Sequence, residues 1–428
     1  IKDITLLEDI NMNSFSYRKF FGGDMLLVIV PHQDDEINTA GATIVGAIEE
    51  GIDVHIAYMT NGDWDYEVPL RNREALDVAK YLGIPSCNIH FLNYPDCGSD
   101  AISVYEQCYK NDRGVNDSTI YYRGRHISWH TLIEDIKRVI ELVSPNCIIS
   151  TGFDSHRDHR QCEISVLEVM QALWHRGSNI KLYTGFAYGT AYESIDDWFS
   201  PHLYSTKMNP LVLGSHQTTP SDNLNWNDRI RIPIPASCQQ RHLVTNPLYI
   251  GLGFHVSQAA YRRSMRLINS DQVFWYRGPM NSNGANESDG TDNYTYLQIM
   301  IDGHFAYEWS HYSGESQPII EVYCGNSLSG NVLQVDNSQL KWYCNGIEID
   351  GHDIQVYVNT HSYIQLRCEL VNDSSIYSTI RYYNKSCIAW LEYGLWWVRE
   401  KLSYHIDHKN RKKQYKKVRL QMRSFFDK

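Results

Sequence analysis

Residues 25–36, Met25-Leu26-Leu27-Val28-Ile29-Val30-Pro31-His32-Gln33-Asp34-Asp35-Glu36, pass from six consecutive apolar residues straight into an imidazole and three carboxylates. An apolar run of that length predicts a strand buried on both faces, as in a parallel sheet. In open parallel sheets ligands gather beyond the carboxyl ends of the strands. The polar half of the stretch is therefore delivered where such folds place their sites. Working outward, Ala40 to Glu50 reads as a helix closed by Gly51, Val54 to Met59 as a second strand, and Asn72 to Leu82 as an amphipathic helix stopped by Gly83. Ile89 to Leu92 is a third strand, Thr131 to Val143 a helix, Cys147 to Ser150 a fourth strand, and Gln161 to Trp174 a helix. This alternation predicts an α/β unit with a mainly parallel sheet and helices on both faces.

A second cluster, His156-Arg157-Asp158-His159, follows the fourth strand and precedes a helix, so it falls on the same sheet edge as the first. His32 and Asp35, three positions apart, can face one point, and His159 would complete three protein ligands. Two imidazoles, one carboxylate and an open position suit catalytic rather than structural zinc. Mg or Mn is the alternative, since carboxylates suit hard cations, but two histidines tilt the choice to zinc. Zinc would bring the pKa of its water to about 7. Asp34 could then act as general base, and His156 could support an oxyanion or protonate a leaving amine. Asp158 could fix the tautomer of His156. A solvated acidic loop and a capped helix start are the bland readings of the two clusters. Their placement after two buried strands favours the functional one.

A chain of 428 residues exceeds one comfortable core, so two or three domains are expected. With 43% hydrophobic and 21% charged residues it reads as a folded globular chain. No window approaches the roughly 18 apolar residues needed to span a bilayer, so an integral membrane protein is not expected. A net charge of −11 argues against a nucleic-acid binder. The charge is uneven: 399–428 sums to +8 and the remainder to −19. A basic tail on an acidic body suggests contact with an anionic surface, hence peripheral membrane contact; a merely solvated terminal helix is the bland alternative. Ten dispersed cysteines without a C-x-x-C pair favour buried thiols in a reducing compartment. Cys324 or Cys344 could bridge to Cys368 if the protein is exported. A cytoplasmic or membrane-peripheral location is expected, and an extracellular or periplasmic one if the chain, which opens at Ile1, is a processed form.

After Arg277 the composition changes. The division expected is a catalytic unit over 1–278, a polar linker over 279–293, a β-sandwich of bacterial Ig-like pattern over 294–388, and a basic, aromatic-led helical tail over 389–428. The sandwich strands include the runs LKWYC, IQVYV and YIQLRCEL, and helix signals are lacking there. Trp342 is expected to serve core packing rather than glycan stacking. The tail, led by Trp390, Trp396 and Trp397, could lie in a membrane interface or dock on the sandwich.

The segment Pro31 to Glu36 resembles the H-P-D-D-E signature of the LmbE-like, or PIG-L, N-deacetylases, and His156 to His159 resembles their H-x-D-H motif. Thr60-Asn61-Gly62 is similar to the family's T-x-G loop, Arg71 to Glu74 to its R-x-x-E helix start, and Leu82-Gly83-Ile84 and Pro95-Asp96 to two further landmarks. His255 to Gln258 and Asp271 to Phe274 resemble the segment that closes the domain. Gln33 stands where proline is common, leaving the ligand spacing intact. The resemblance covers about Asp24 to Arg277. It implies a Rossmann-like, zinc-dependent hydrolase removing acetyl groups from amino sugars, with one Zn2+ per chain held by His32, Asp35 and His159. It further implies Asp34 as general base, His156 at the oxyanion, Asp158 orienting a histidine, and Arg71 and Asp96 contacting the sugar. The implied partner is an N-acetylated sugar or glycan. A non-catalytic glycan-binding protein and an amidase of a sugar–thiol conjugate are the competing readings.

Overall fold

The computed structural model describes residues 15–96, 120–122, 125–152, 156–187, 192–193, 207–208, 230–238, 243–268, 271–279, 295–301, 304–305, 308–311, 319–326, 332–333, 335–361, 363–374, 377–383 and 387–426. Its first unit is built on a seven-stranded sheet. The strands are β1 (Met25–Val30), β2 (Asp53–Thr60), β3 (Ile89–Tyr94), β4 (Cys147–Thr151), β5 (Lys181–Gly185), β6 (Ile230–Pro233) and β7 (Asp271–Gly278), in the spatial order β3-β2-β1-β4-β5-β7-β6. The first five are parallel, with Leu26 opposite both Val54 and Cys147, and β7 and β6 are added antiparallel. The Asp271 to Phe274 motif thus opens the strand that pairs with β5.

Side-chain alternation along β1 explains why the sheet is covered on both faces. Leu26, Val28 and Val30 join one core with Ile44, Ala47, Ala75 and Ala79. Leu27 and Ile29 join a second with Leu132, Ile136, Val139, Val166 and Met170. The first face is roofed by α1 (Asp35–Glu49) and α2 (Val68–Leu82), the second by α3 (Trp129–Val143) and α4 (Arg157–His175). Local signals start and stop these helices. A capping box at Ser128 and Thr131 opens α3, and Gly83, at φ 83°, closes α2. Strand order reverses between β1 and β4, the switch point at which a crevice opens beyond the strand ends. The two His/Asp clusters follow these two strands.

The second unit holds two sheets. One contains Thr295–Ile301, His304–Phe305, Ile320–Asn326 and Val332–Leu333; the other contains Glu308–His311, Leu340–Cys344, Ile347–Ile349, Tyr363–Leu370 and Tyr377–Tyr383. Leu297, Ile299 and Cys324 of the first share a core with Trp342, Leu366 and Cys368 of the second. Trp342 is buried there, as core packing requires. Pairing is antiparallel except between Glu308–His311 and Tyr377–Tyr383. Cys324, Cys344 and Cys368 are buried free thiols. Cys344 faces Leu366, not Cys368, in the ladder. Apart from Pro279, the linker lies outside the described residues.

One expected strand is a helix. The run IQVYV opens α6 (Ile354–Thr360), numbered after α5 (Pro247–Phe254). Alternation would bury residues 354, 356 and 358 together. Ile354 and Val358 are buried whereas Val356 is 57% exposed, which is helical spacing. Asp350 Oδ1 accepts from His352 N–H at 2.8 Å and opens a 3₁₀ turn leading into the helix, so local capping outweighs β-propensity. The chain's last described element is α7 (Cys387–Phe426), a forty-residue helix. Among the described residues no helix is long and apolar enough to cross a membrane.

Candidate active site

The turn after β1 carries the first cluster. Asp34 occupies φ 129°, a region L-residues rarely adopt. Such strain persists only where surrounding contacts hold it, and here they do. Asp34 N–H donates to Glu36 Oε2 at 2.9 Å, and Asp34 Oδ2 lies 3.0 Å from Arg263 Nη1. Asp35 then begins α1, pointing its carboxylate back at the turn: Asp35 Oδ2 accepts from His32 N–H at 3.2 Å and lies 2.9 Å from His32 Nδ1.

The turn after β4 brings the second cluster to the same point. His156 caps α4, its Nδ1 accepting from Asp158 N–H at 3.2 Å. His159, fully buried, places Nε2 3.2 Å from Asp35 Oδ2. The rings of His32, His156 and His159 lie 4.8 to 5.4 Å apart, centroid to centroid. His32 Nε2 lies 2.9 Å from Asp158 Oδ2 and 3.3 Å from Asp96 Oδ1. Asp158 therefore holds His32 through its carboxylate and His156 through its backbone N–H. Asp96, expected at the sugar, sits beside the same imidazole. Their potential ligand atoms fall into two groups, His32 with His156 and His159, and His32 with Asp96 and Asp158, each within 4.8 Å.

These residues fit a divalent cation. The Asp35 carboxylate oxygen stands 2.9 Å from His32 Nδ1 and 3.2 Å from His159 Nε2, near the ligand–ligand separations around an ion with ~2.0–2.2 Å bonds. The Asp158 carboxylate on Nε2 of His32 is a contact of the kind that would orient this ring if its Nδ1 held an ion. Electrostatics agree. Burial works against charge on His32, but Asp96, Asp158 and Asp35 outweigh it and hold its pKa well above the usual value. Burial likewise opposes ionisation of Asp35, yet His159 and His32 hold its carboxyl well below the usual range. The same negative surroundings would favour a bound cation, which competes with that proton for the ring nitrogen. His156 differs: burial, then His32 and His159, push it down to about 4, so it is a neutral imidazole at pH 7.

Arg71 is buried, and its Nη2 donates to Gln33 O at 2.6 Å, with Asp34 Oδ1 4.0 Å away. Its Nε and Nη1 have no hydrogen-bond partner among the described residues. Gln33 ties the turn to its neighbours, donating to Thr60 O at 3.2 Å and Asn72 Oδ1 at 3.1 Å. Gly62, at φ 63°, lets the T-x-G loop pass close by. A Cβ there would meet Gln33 Oε1 at 2.5 Å and Arg71 Nε at 2.7 Å. Gly62→Ala should therefore displace Arg71 and cost about 1–2 kcal/mol from backbone strain alone. Thermal unfolding together with a substrate-binding assay checks this; unchanged values in both would exclude the crowding.

Three site contacts escape a reading of motifs. Fully buried His255 places Nε2 2.7 Å from Glu36 Oε1. Burial opposes its charge, but Glu36, Asp34 and Glu74 raise its pKa. Glu74 accepts from Ser257 N–H at 2.8 Å and from Ser257 Oγ at 2.6 Å, so the R-x-x-E glutamate anchors the segment carrying His255. Arg263 reaches Asp34. The only hint was the segment His255 to Gln258, which suggested a closing element without a role for its residues.

Residues 27–170 match the family model PIG-L, described as GlcNAc-PI de-N-acetylase, and the resemblance read from the motifs is borne out over that segment. No curated protein matches the chain significantly. Among solved structures, the A40926 pseudoaglycone deacetylase Dbv21 is similar at 14% identity and TM-score 0.35, over 59% of this chain and 96% of that one. The N,N'-diacetylchitobiose deacetylase of Pyrococcus horikoshii is similar at 18% identity and TM-score 0.27, over 44% and 72%. A 4-carboxy-2-hydroxymuconate hydratase, GalB of Pseudomonas putida KT2440, is similar at 13% and 0.35, over 60% and 97%. Likenesses this distant carry no argument about activity.

Proposed function

We propose that this protein is a metal-dependent hydrolase that removes the N-acetyl group from an amino sugar in a glycan or glycoconjugate. The observation that carries the reading is the meeting of Asp35 Oδ2 and His159 Nε2, from separate turns, 3.2 Å apart beside His32. His32, Asp35 and His159 would hold the cation, zinc by the character of the donors. When bound, such a cation polarises a carbonyl and acidifies a water.

The chain's own groups supply the rest. Asp34 stands outside the ligand set, fixed by Arg263 and by the Glu36 contact to its backbone. It can take the proton of the attacking water and pass it to the departing amine. The Nδ1 atom of His156 is occupied by the Asp158 N–H, so the neutral ring carries its proton on Nε2 and can donate it to the developing oxyanion. Two buried nitrogens of Arg71, Nε and Nη1, lack acceptors among the described residues, which costs on the order of 1–3 kcal/mol per unsatisfied group. Sugar oxygens would satisfy them, which supports Arg71 as a substrate-binding residue, with Asp96, beside His32, as the second.

Acetate release from a panel of N-acetylglucosamine conjugates, with one equivalent of zinc, tests the reading. Release from at least one conjugate, with the free amine as co-product, is expected. Binding of such a conjugate without any acetate would favour a non-catalytic glycan-binding protein instead.

A further inference from the structure

Helix α7 has two unlike faces. The inner face rests on the α/β unit. Tyr404 and Tyr415 pack against its core, Asp407 takes a hydrogen bond from Tyr249 and pairs with Arg411 at 2.6 Å, and His408 meets the Tyr261 ring at 5.4 Å. The middle of the helix thus docks on the α/β unit. The outer face is a stripe at three- and four-residue spacing. Its first half is Leu391, Leu395, Val398, Leu402 and Ile406, each 46% to 63% exposed. The same stripe continues as Lys409, Lys413, Lys416 and Leu420, with Lys412 beside it, all exposed. From Leu402 to Leu420 the helix holds one acidic residue, Asp407, and that one faces inward.

From this arrangement we infer that the outer face of α7 is a docking surface for an anionic lipid bilayer, with the helix lying in the plane of the headgroups. Charge complementarity names the occupant. Among the described residues no carboxylate lies within 4 Å of Lys409, Lys412, Lys413 or Lys416, and the body that the helix shields is acidic. A soluble polyanion would satisfy the lysines but leave five large apolar side chains in water. The headgroup boundary accepts both halves of the stripe at once. Because Tyr261 braces His408 and Arg263 two positions on pairs with Asp34, the surface is built against the same segment that reaches the site. The inference does not depend on the reaction catalysed.

Co-sedimentation of the full chain with vesicles tests it. Vesicles of phosphatidylcholine with about one-third phosphatidylserine should retain the protein, and pure phosphatidylcholine should retain far less. Each lysine near an anionic leaflet contributes about fivefold, as ~1 kcal/mol converts. The exposed triple change Lys409→Gln, Lys413→Gln, Lys416→Gln should therefore weaken binding roughly a hundredfold. Leu395→Ser with Leu402→Ser should abolish retention even at low salt. Both variants should unfold at the wild-type temperature. No retention on acidic vesicles would overturn the inference. So would equal binding by the lysine variant, heparin binding as tight as vesicle binding and indifferent to the leucine changes, or a dimer in sedimentation that the leucine changes dissociate.

Discussion

Asp34→Asn is expected to lower acetate release by about three orders of magnitude while zinc stays near one per chain. General-base groups contribute ~10²–10⁴-fold, and the substitution removes only the ability to accept a proton. The neutral amide still fits the space beside Arg263, and the backbone N–H of residue 34 still meets Glu36, so the turn keeps its shape. Asp34 is not among the three residues that converge on one point, which is why metal content should not follow activity. Steady-state turnover on one conjugate, paired with elemental analysis of the same sample, checks both halves. Near-normal turnover would remove the base assignment; loss of zinc would place Asp34 among the ligands.

Asp35→Ala and His159→Ala should instead lose metal and activity together. Weakening an outer contact to a ligand costs ~10–100-fold in metal affinity. Asp158→Asn, which alters the group holding His32 Nε2 at 2.9 Å, should fall in that range. Removing a ligand outright should cost more. Chelator competition would therefore rank the variants Asp158→Asn, then Asp35→Ala and His159→Ala, in order of increasing loss. The reverse order would place the ion nearer Asp96 and Asp158, the alternative carboxylate pair around His32. Unfolding by denaturant should accompany these assays, because Asp35 and His159 are buried and His159 is one of the groups that hold the Asp35 carboxyl below its usual range.

Much of the first unit was legible because its determinants are local. Six apolar residues in a row made β1, and two-faced burial followed from the alternation of Leu26 and Val28 with Leu27 and Ile29. Gly83 ended a helix where the spacing of apolar residues said it should, and the helix expected from Thr131 opens two residues earlier, behind the Ser128 cap. The spacing of His32 to Asp35, and of His156 to His159, lies within one turn of chain, so the ligand geometry could be anticipated within each cluster. The run IQVYV was misleading for the converse reason. Five residues satisfy strand and helix patterns alike, and the deciding signal was the Asp350 cap outside the run.

What the chain's sequence determined by itself was the alternating α/β order, the sheet edge carrying both clusters, and the character of the donors in each. Tertiary structure alone decided that Glu36 meets His255, 219 residues away, that Arg263 reaches Asp34, that Asp158 turns its carboxylate to His32, and which face of α7 is left outside. The reason is physical. Periodicity and caps act over a few residues and are written in neighbouring positions. A buried pair depends on which surfaces the sheet order brings together, and no short stretch of chain encodes that.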